Sequence, residues 1–245
     1  MRNWFPYGLD APPVVRNLAL AALACWLLFA LGFSSILPIK ITGFEWPALA
    51  LTLGALSMIW SSRYGKLRRR EQLLDRLPWR GDERVLDIGC GRGLMAVAAA
   101  RRVPHGRAIG VDIWQSEDLS GNGPDAVAAN AAREGVADRV ETRTADMREL
   151  PFDDASIDTV VSSTAIHNIY KVEGRTRALD EIVRVLKPGG RVLIDDIRHL
   201  PQYAEHLRGA GFIVGLTRGV GSWFWRVVSF GSLAPGSLTG RKPEA

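Results

Sequence analysis

The sequence VLDIGCGRGLM at residues 85–95 decides the predicted fold class. Its apolar start predicts a buried β-strand, and Gly89, Gly91 and Gly93 predict a turn before a helix that begins near Leu94. Glycine adopts positive φ and lets a ligand approach the backbone without meeting a Cβ atom. The N-terminus of the helix offers N–H groups to an anionic group. We therefore expect this strand, turn and helix to hold a ligand.

From Arg84 onward, short β-branched strands alternate with longer helical stretches. This order predicts an α/β fold with a mostly parallel sheet covered on both faces. The seven strand candidates are RVLDI, RAIGVDI, RVETRT, DTVVSS, RVLIDDI, FIVGLTR and WFWRVVSF. Only GVGS separates the last two, which is too short for a crossover, so we expect that pair to be antiparallel. The predicted domain spans residues 84–231, and a flexible tail rich in glycine and proline follows at 232–245.

Two apolar runs precede this domain. Residues 17–39 carry no charge and exceed the roughly 20 residues that cross a bilayer, and residues 46–62 are at the short end of the spanning range. We expect two transmembrane helices that form a membrane hairpin at residues 1–62. A cleaved secretory signal is the alternative for the first run, and a buried core helix is the alternative for the second.

A basic linker helix is predicted at residues 63–83. Its first residues collect five basic side chains, Arg63, Lys66, Arg68, Arg69 and Arg70. Because Lys and Arg concentrate on the cytoplasmic side, both termini and the large domain are expected in the cytosol, beside the cytoplasmic membrane. This basic cluster is either the solvated start of a helix or a site of attraction to anionic lipid headgroups, and the two are compatible. Together they explain much of the net charge of +5 without nucleic acid as a partner.

The number and spacing of cysteines and histidines argue against a disulfide framework and against a zinc site. Cys25 and Cys90 are too few for a disulfide framework, in agreement with a reducing compartment. No Cys/His cluster has zinc-site spacing, so we predict no metal.

Carboxylates follow three successive strand candidates, and all three strands end at the same edge of a parallel sheet. Asp87 precedes the glycines, Asp112 ends the second strand about 20 residues beyond the turn, and Asp146 follows the third. An acid at the second strand can accept hydrogen bonds from ribose hydroxyls. The spacing G-x-G-x-G departs from the dinucleotide fingerprint because position 94 is Leu, and Asp87 would repel a pyrophosphate. A zwitterionic or cationic ligand fits better, although each acid alone could be a helix cap or a solvated loop carboxylate.

These segments resemble the successive motifs of class I S-adenosylmethionine-dependent methyltransferases. The resemblance is carried by VLDIGCGRG, IGVDIW, TADMRELPF, DTVVSSTAIHNI and EIVRVLKPGGRVLIDDI. It implies a Rossmann-like seven-stranded sheet with an antiparallel last strand, and S-adenosyl-L-methionine as the methyl donor. The glycine turn would hold the methionine part, with Asp87 ordering it. Asp112 would bind the ribose, Asp146 the adenine amine, and Ile113 and Met147 would sandwich the adenine.

His167, just past the fourth strand, is the candidate base, since this family's acceptor pocket opens there. An unperturbed imidazole accepts a proton at neutral pH, and only an acceptor that loses a proton needs a base. Alternatively, His167 only lines the pocket or makes a local hydrogen bond. Other candidates for the acceptor pocket are Asn168, Tyr170, Asp196 and His199.

The acceptor is expected to be a hydrophobic or membrane-borne small molecule, such as a lipid, quinone or isoprenoid, because a membrane anchor places the enzyme where such molecules diffuse. Base methylation in nucleic acids is disfavoured, since SSTAI stands where those enzymes carry Asn or Asp before Pro-Pro-Tyr. The alternatives are methylation of a soluble small molecule or protein, a non-catalytic donor-binding scaffold, and a nucleotide-linked oxidoreductase. The methylated atom and the oligomeric state stay open.

Overall fold

The computed structural model describes residues 4–33, 42–115, 119, 121–219, 222–229 and 231–244. The chain divides into two units. The smaller comprises residues 1–68 with 115–122, and the larger comprises residues 69–114 with 123–245.

The smaller unit contains two apolar helices. These are α1 (Pro12–Phe33) and α2 (Glu45–Trp60), and a π-helical turn (Ser61–Gly65) leads from α2 into α3 (Lys66–Leu74). α1 and α2 pack against each other through small side chains, with Ala22, Ala48 and Ala55 buried. Small residues let helix backbones approach closely, as in membrane helix pairs. The Trp26 indole N–H also donates to Thr52 Oγ1 at 3.0 Å.

One described helix is long and apolar enough to cross a membrane, the 21 residues Pro12–Gly32. Only 11% of the most apolar 18-residue stretch of this helix is buried. The predicted second span forms α2, whose 16 residues reach about 24 Å at 1.5 Å per residue, short of a hydrocarbon core of about 30 Å. Residues 34–39 of the predicted first span lie outside the described residues.

A seven-stranded sheet forms the centre of the larger unit. Its strands are β1 (Arg84–Ile88), β2 (Arg107–Asp112), β3 (Val140–Thr144), β4 (Ile157–Ser163), β5 (Leu186–Asp196), β6 (Ile213–Arg218) and β7 (Gly236–Arg241). The order is β3-β2-β1-β4-β5-β7-β6, and only β7 runs antiparallel to its neighbours. The predicted mixed seven-stranded sheet is confirmed.

Helices cover both faces of the sheet. They are α4 (Leu94–Ala100), α5 (Pro124–Arg133), α6 (Val172–Val185) and α7 (Leu200–Gly209), and a further short helix, α8 (Ser222–Val228), follows β6. Adjacent strand residues point to opposite faces, so Val85 packs in a core with α3, α4 and α5, and Leu86 packs in a core with α6 and α7. This three-layer arrangement brings the carboxyl ends of β1, β2 and β4 to one edge.

The final strand does not lie where the sequence predicts it. The aromatic segment WFWRVVSF, expected as the last strand, contributes instead to helix α8, with Trp223 and Val227 exposed. The seventh strand is β7, inside the segment 232–245 that was expected to be a flexible tail. β7 pairs with β5 on one side and β6 on the other, and its Leu238 is fully buried. The prediction of a flexible tail is therefore wrong.

The predicted linker helix at residues 63–83 is also only partly helical. α3 ends at Leu74, and the chain then turns toward Pro78. Leu73, Leu74 and Leu77 are buried in the core beside α4, so this segment belongs to the larger unit from residue 69 onward, while residues 63–68 belong to the smaller unit.

Three of the five clustered basic side chains bind within the protein. Lys66 Nζ donates to the carbonyl oxygens of Tyr7 and Gly8 and to Asp10 Oδ1, at 2.7–2.8 Å. Arg69 pairs with the buried Asp195, and Arg70 pairs with Glu134 at 2.9 Å. The remaining two are Arg63, which lies over the Tyr64 ring, and Arg68, which is exposed.

Candidate functional site

The glycine turn is fixed by backbone hydrogen bonds to β2. The N–H groups of Gly89 and Cys90 both donate to the carbonyl of Val111, at 2.9 and 3.1 Å. The Gly93 N–H closes the turn on the Cys90 carbonyl at 2.7 Å, and Gly89, Gly91 and Gly93 all have positive φ. The sequence places glycine here because other residues rarely adopt this backbone.

Two of these glycines are also required by close packing. A Cβ on Gly89 would lie 2.3 Å from Ala165 Cβ, and one on Gly93 would lie 2.8 Å from Val127 Cγ1. The approach at Gly89 brings the turn against the segment that follows β4, two residues before His167. Met147 Cε is 3.5 Å from the same position, so Met147 lies beside the turn, and its contact with an adenine stays a prediction.

The Asp87 carboxylate binds a backbone N–H group within the protein. Its side chain is buried, and its Oδ2 accepts the Ala96 N–H at 2.8 Å in the first turn of α4. Burial raises the pKa of Asp87 to about 7, with a further rise from the nearby Asp112. Asp87 thus joins β1 to α4 around the turn, the ordering role that the resemblance implies.

Asp112 lies at the carboxyl end of β2, beside the turn. Its Oδ2 accepts the Gly91 N–H at 2.8 Å, and its Oδ1 accepts the Trp114 N–H at 2.7 Å. Each carboxylate oxygen has two acceptor positions, so both can still accept a hydroxyl. The side chain of Ile113 is 47% exposed directly after it. Asp112 is thus placed to bind a diol, and its role toward ribose stays a prediction.

Asp146 follows β3 and is bound by a neighbouring arginine. Arg148 donates to both carboxylate oxygens through Nε and Nη2, and its backbone N–H donates to Oδ1 at 2.8 Å. The Arg148 side chain holds the pKa of Asp146 below its usual range. Contact with an adenine amine would use the remaining acceptor capacity of this carboxylate.

His167 lies in a 3-10 turn (Ile166–Asn168) after β4, against the end of β5. Its Nδ1 is 2.6 Å from Asp196 Oδ1, at ion-pair distance though outside hydrogen-bond angles, and its backbone N–H donates to Asp196 Oδ2 at 3.2 Å. The Asp196 side chain has no exposed surface, and that of His167 is 12% exposed. Asp196, predicted to line the acceptor pocket, therefore faces His167.

The other predicted pocket residues are placed differently. His199 begins α7 with positive φ, and burial lowers its pKa. Asn168 is half-buried in the 3-10 turn, whereas Tyr170 is 94% exposed. Their contacts with an acceptor stay predictions.

Sequence reasoning missed three side chains at this edge of the sheet. Trp114 has positive φ and donates from its indole N–H to Thr144 Oγ1 at 2.8 Å, which ties the end of β2 to β3. Arg175 is buried and donates to the carbonyls of Ile169 and Tyr170. Tyr203 is buried near Asp196. Only Trp114 carried a sequence signal, because it follows the acid of the second strand by two residues.

Comparison with known proteins identifies the central part of the chain. The family described as "Methyltransferase domain" matches residues 86–194. The chain is 29% identical over 151 residues to the ubiquinone/menaquinone biosynthesis C-methyltransferase UbiE of Dinoroseobacter shibae, covering 62% of this chain and 53% of that protein. It is 34% identical over 139 residues to the 27-O-demethylrifamycin SV methyltransferase of Amycolatopsis mediterranei, covering 56% and 47%. The chain thus spans about half the length of these curated relatives.

A solved structure agrees with the fold. The crystal structure of a SAM dependent methyltransferase from Aquifex aeolicus superposes with a TM-score of 0.54 at 17% identity, over 72% of this chain and 90% of that one. This likeness supports the fold, the family match covers residues 86–194, and the predicted domain bounds of 84–231 stay a prediction.

Proposed function

We propose that this chain, which carries a methyltransferase domain over residues 86–194, is a membrane-anchored enzyme that transfers a methyl group from S-adenosylmethionine to an apolar small molecule. The observation that carries the proposal is the placement of the Asp112 carboxylate beside the glycine turn, with its oxygens accepting the Gly91 and Trp114 N–H groups. The similarity to a C-methyltransferase of ubiquinone/menaquinone biosynthesis and to a 27-O-demethylrifamycin SV methyltransferase agrees with a small-molecule acceptor.

The residues present fit this donor. The glycine turn has positive φ at all three glycines, Asp112 offers acceptor positions for a diol, and Ile113 and Met147 offer apolar surface for a flat ring. A bound sulfonium donor supplies a methyl group that is already electrophilic. The protein therefore has to align an acceptor atom and, where that atom carries a proton, to remove it. His167 takes the second role.

The membrane anchor is proposed from the apolar helices. α1 exposes Leu20, Leu23, Trp26, Leu27 and Leu31, and α2 exposes Trp46, Leu49, Leu53, Leu56 and Trp60. Helices that are apolar on their outer faces are suited to lipid rather than to water. We infer that α1 spans the membrane and that α2 completes a hairpin, with both termini and the methyltransferase domain in the cytosol. Bilayer thinning or tilt would accommodate the short α2.

The experiment uses the purified full chain with donor labelled in the methyl group and a total bacterial membrane lipid extract. Label should enter the organic phase with the native protein and not with Asp112→Ala. Loss of one charged hydrogen-bonding partner, worth about 1.5–3 kcal/mol, should weaken donor affinity about 10- to 100-fold in calorimetry. Asp138→Ala, an exposed acid at the opposite end of β2 and β3 from Asp112, is the control and should leave affinity unchanged.

Three results would contradict the proposal. Label confined to the aqueous phase would exclude a lipid-soluble acceptor. If the protein binds the donor but produces no S-adenosylhomocysteine with either lipid or soluble extract, it is a non-catalytic donor-binding scaffold. Affinity for NAD in place of the donor would indicate an oxidoreductase.

A further inference from the structure

Asp196 has a defined geometric relation to the candidate base. One of its carboxylate oxygens lies 2.6 Å from His167 Nδ1, and the other accepts the backbone N–H of the same histidine at 3.2 Å. The Ile197 N–H donates to Oδ1 at 2.7 Å and holds the carboxylate in place. Asp196 therefore contacts both the main chain and the ring of His167, from a position closed to solvent.

The short distance indicates where the proton of the ring lies. Two lone pairs facing each other at 2.6 Å would repel, so a proton lies between Nδ1 and the carboxylate oxygen. With the proton on Nδ1, the neutral ring has its lone pair on Nε2.

We propose that Asp196 is a positioning residue that holds His167 with its proton on Nδ1, so that Nε2 accepts a proton from an aromatic or enolic hydroxyl group of the acceptor. This inference rests on the proposed function. It also names the acceptor class, because an acceptor with a free lone pair, such as a tertiary amine or a thioether, needs no base. A base supported by a buried carboxylate is useful only where the reacting atom carries a proton.

The surroundings of the pair agree with this role. Tyr203 lies close enough for the charge of Asp196 to raise its pKa, in addition to the effect of burial, so its phenol stays neutral. Its hydroxyl is buried without a hydrogen-bond partner in the described part of the chain. Other charged or titratable groups near the pair are Arg175, Arg198 and His199, together with Asp195, which is itself paired with Arg69. Ala165 packs on Gly89, which brings the segment that holds His167 beside the donor turn.

Methyl transfer to a hydroxyl group requires removal of its proton and cleavage of the C–S bond of the donor. The acceptor O–H proton moves to His167 Nε2 while an oxygen lone pair forms the bond to the methyl carbon. The pair of the breaking C–S bond stays on sulfur, and the leaving product is a neutral thioether. The imidazolium, stabilised by Asp196, then releases its proton to water. For an aromatic carbon acceptor, removal of the same hydroxyl proton raises the electron density of the ring, a ring electron pair forms the bond to the methyl carbon, and the hydrogen of that ring carbon is then lost as a proton to water.

The first test measures the ring directly and needs no acceptor. The full chain in detergent is labelled with 15N-histidine, and His167 is assigned by its loss in His167→Gln. At pH 8 we expect the proton on Nδ1 in the native protein and a change in the proton position or a mixture of both tautomers in Asp196→Asn. Asp180→Asn is the matched control, because Asp180 contacts His206 Nε2 at 2.9 Å and should affect only that ring.

A ring protonated on Nε2 alone, or on both nitrogens at pH 8, would overturn the positioning role, as would an unchanged spectrum in Asp196→Asn. Asp196→Glu, which keeps the carboxylate, should restore the native tautomer if Asp196→Asn folds poorly. Unchanged donor affinity in calorimetry reports an intact domain in each variant.

The second test addresses the acceptor class, with an alkyl-substituted naphthohydroquinone in detergent as the probe. Asp196→Asn should lower kcat about 10- to 100-fold at pH 7 with KM within about twofold, and the defect should shrink as the pH rises and the hydroxyl ionises in solution. A defect that stays constant with pH would overturn the hydroxyl assignment. Absence of any methyl transfer by the native protein would contradict the proposed function instead, while the 15N measurement still tests Asp196.

Discussion

Gly89 and Ala165 are packed so closely that a Cβ atom on Gly89 would lie 2.3 Å from Ala165 Cβ. This contact joins the turn after β1 to the segment after β4, the two parts of the chain that we assign to donor and acceptor. Position 89 therefore requires glycine for two reasons: its φ is positive, at 69°, and there is no space for a Cβ atom.

Gly89→Ala should destabilise the protein and disrupt donor binding. Left-handed strain of about 1–2 kcal/mol and overpacking of about 1–3 kcal/mol combine to lower the thermal midpoint by about 5–15 °C. The measurement is thermal unfolding of the full chain in detergent, together with donor calorimetry. Gly135→Ala is the matched control, because Gly135 has φ +72° and open space around its Cβ position. Equal losses in the two variants would show that packing on Ala165 contributes nothing.

Asp87 makes stability depend on pH in an unusual direction. Its pKa rises from an ordinary value of 3.8 to about 7 in the fold, so between these values the unfolded chain releases a proton that the folded chain keeps. Its contribution to stability therefore falls as the pH rises from about 4 to 7. Asp87→Asn, which can still accept the Ala96 N–H, should melt higher than the native protein at pH 8 and vary less between pH 5 and 7.

Asp158→Asn provides the opposite case. Burial opposes ionisation of Asp158, but the Arg84 N–H and Lys187 hold its pKa below the usual range. Its contribution is present above the unfolded pKa and is lost at acid pH, so this variant should melt lower than the native protein at neutral pH. Parallel melting profiles of Asp87→Asn and the native protein would contradict the assignment for Asp87.

Leu238 tests whether the C-terminal strand is part of the core. Leu238→Ala should cost about 2–5 kcal/mol of unfolding free energy, because the side chain is fully buried between strands. Arg241→Ala, in the exposed end of the same strand, should change it by less than about 0.5 kcal/mol. Denaturant titration of both variants measures the difference, and a small effect at Leu238 would support the flexible tail that the sequence suggested.

Charges on the outer face of α1 should release the chain from the membrane. Leu23 and Leu27 lie one turn apart and are both exposed, so Leu23→Lys with Leu27→Lys adds about 2.5–3.5 kcal/mol of insertion cost per residue. The double variant should move from the carbonate-washed membrane pellet to the supernatant, whereas Val172→Lys, at an exposed position on α6, should stay in the pellet. A native chain found in the supernatant would overturn the anchor.

Local patterns were sufficient for most of the fold. Six strand candidates, from β1 to β6, lie where the periodicity predicts them, since buried β-branched runs and the glycine turn carry their own backbone preferences. The same holds for the positions of Asp87, Asp112 and Asp146 at strand ends. The aromatic run that becomes α8 was wrongly predicted to be a strand, because the pattern of a short apolar run does not distinguish strand from helix.

By itself, the sequence determined the strand, turn and helix at residues 85–95 and the succession of acids, because these depend on neighbours in the chain. Only the tertiary structure decided that GSLTGR is a strand, because its conformation comes from hydrogen bonds to β5 and β6 and not from its own propensity. It also decided the partner of His167. Asp196 lies 29 residues away in the chain, and the two meet only because β4 and β5 are neighbours whose ends share one edge of the sheet.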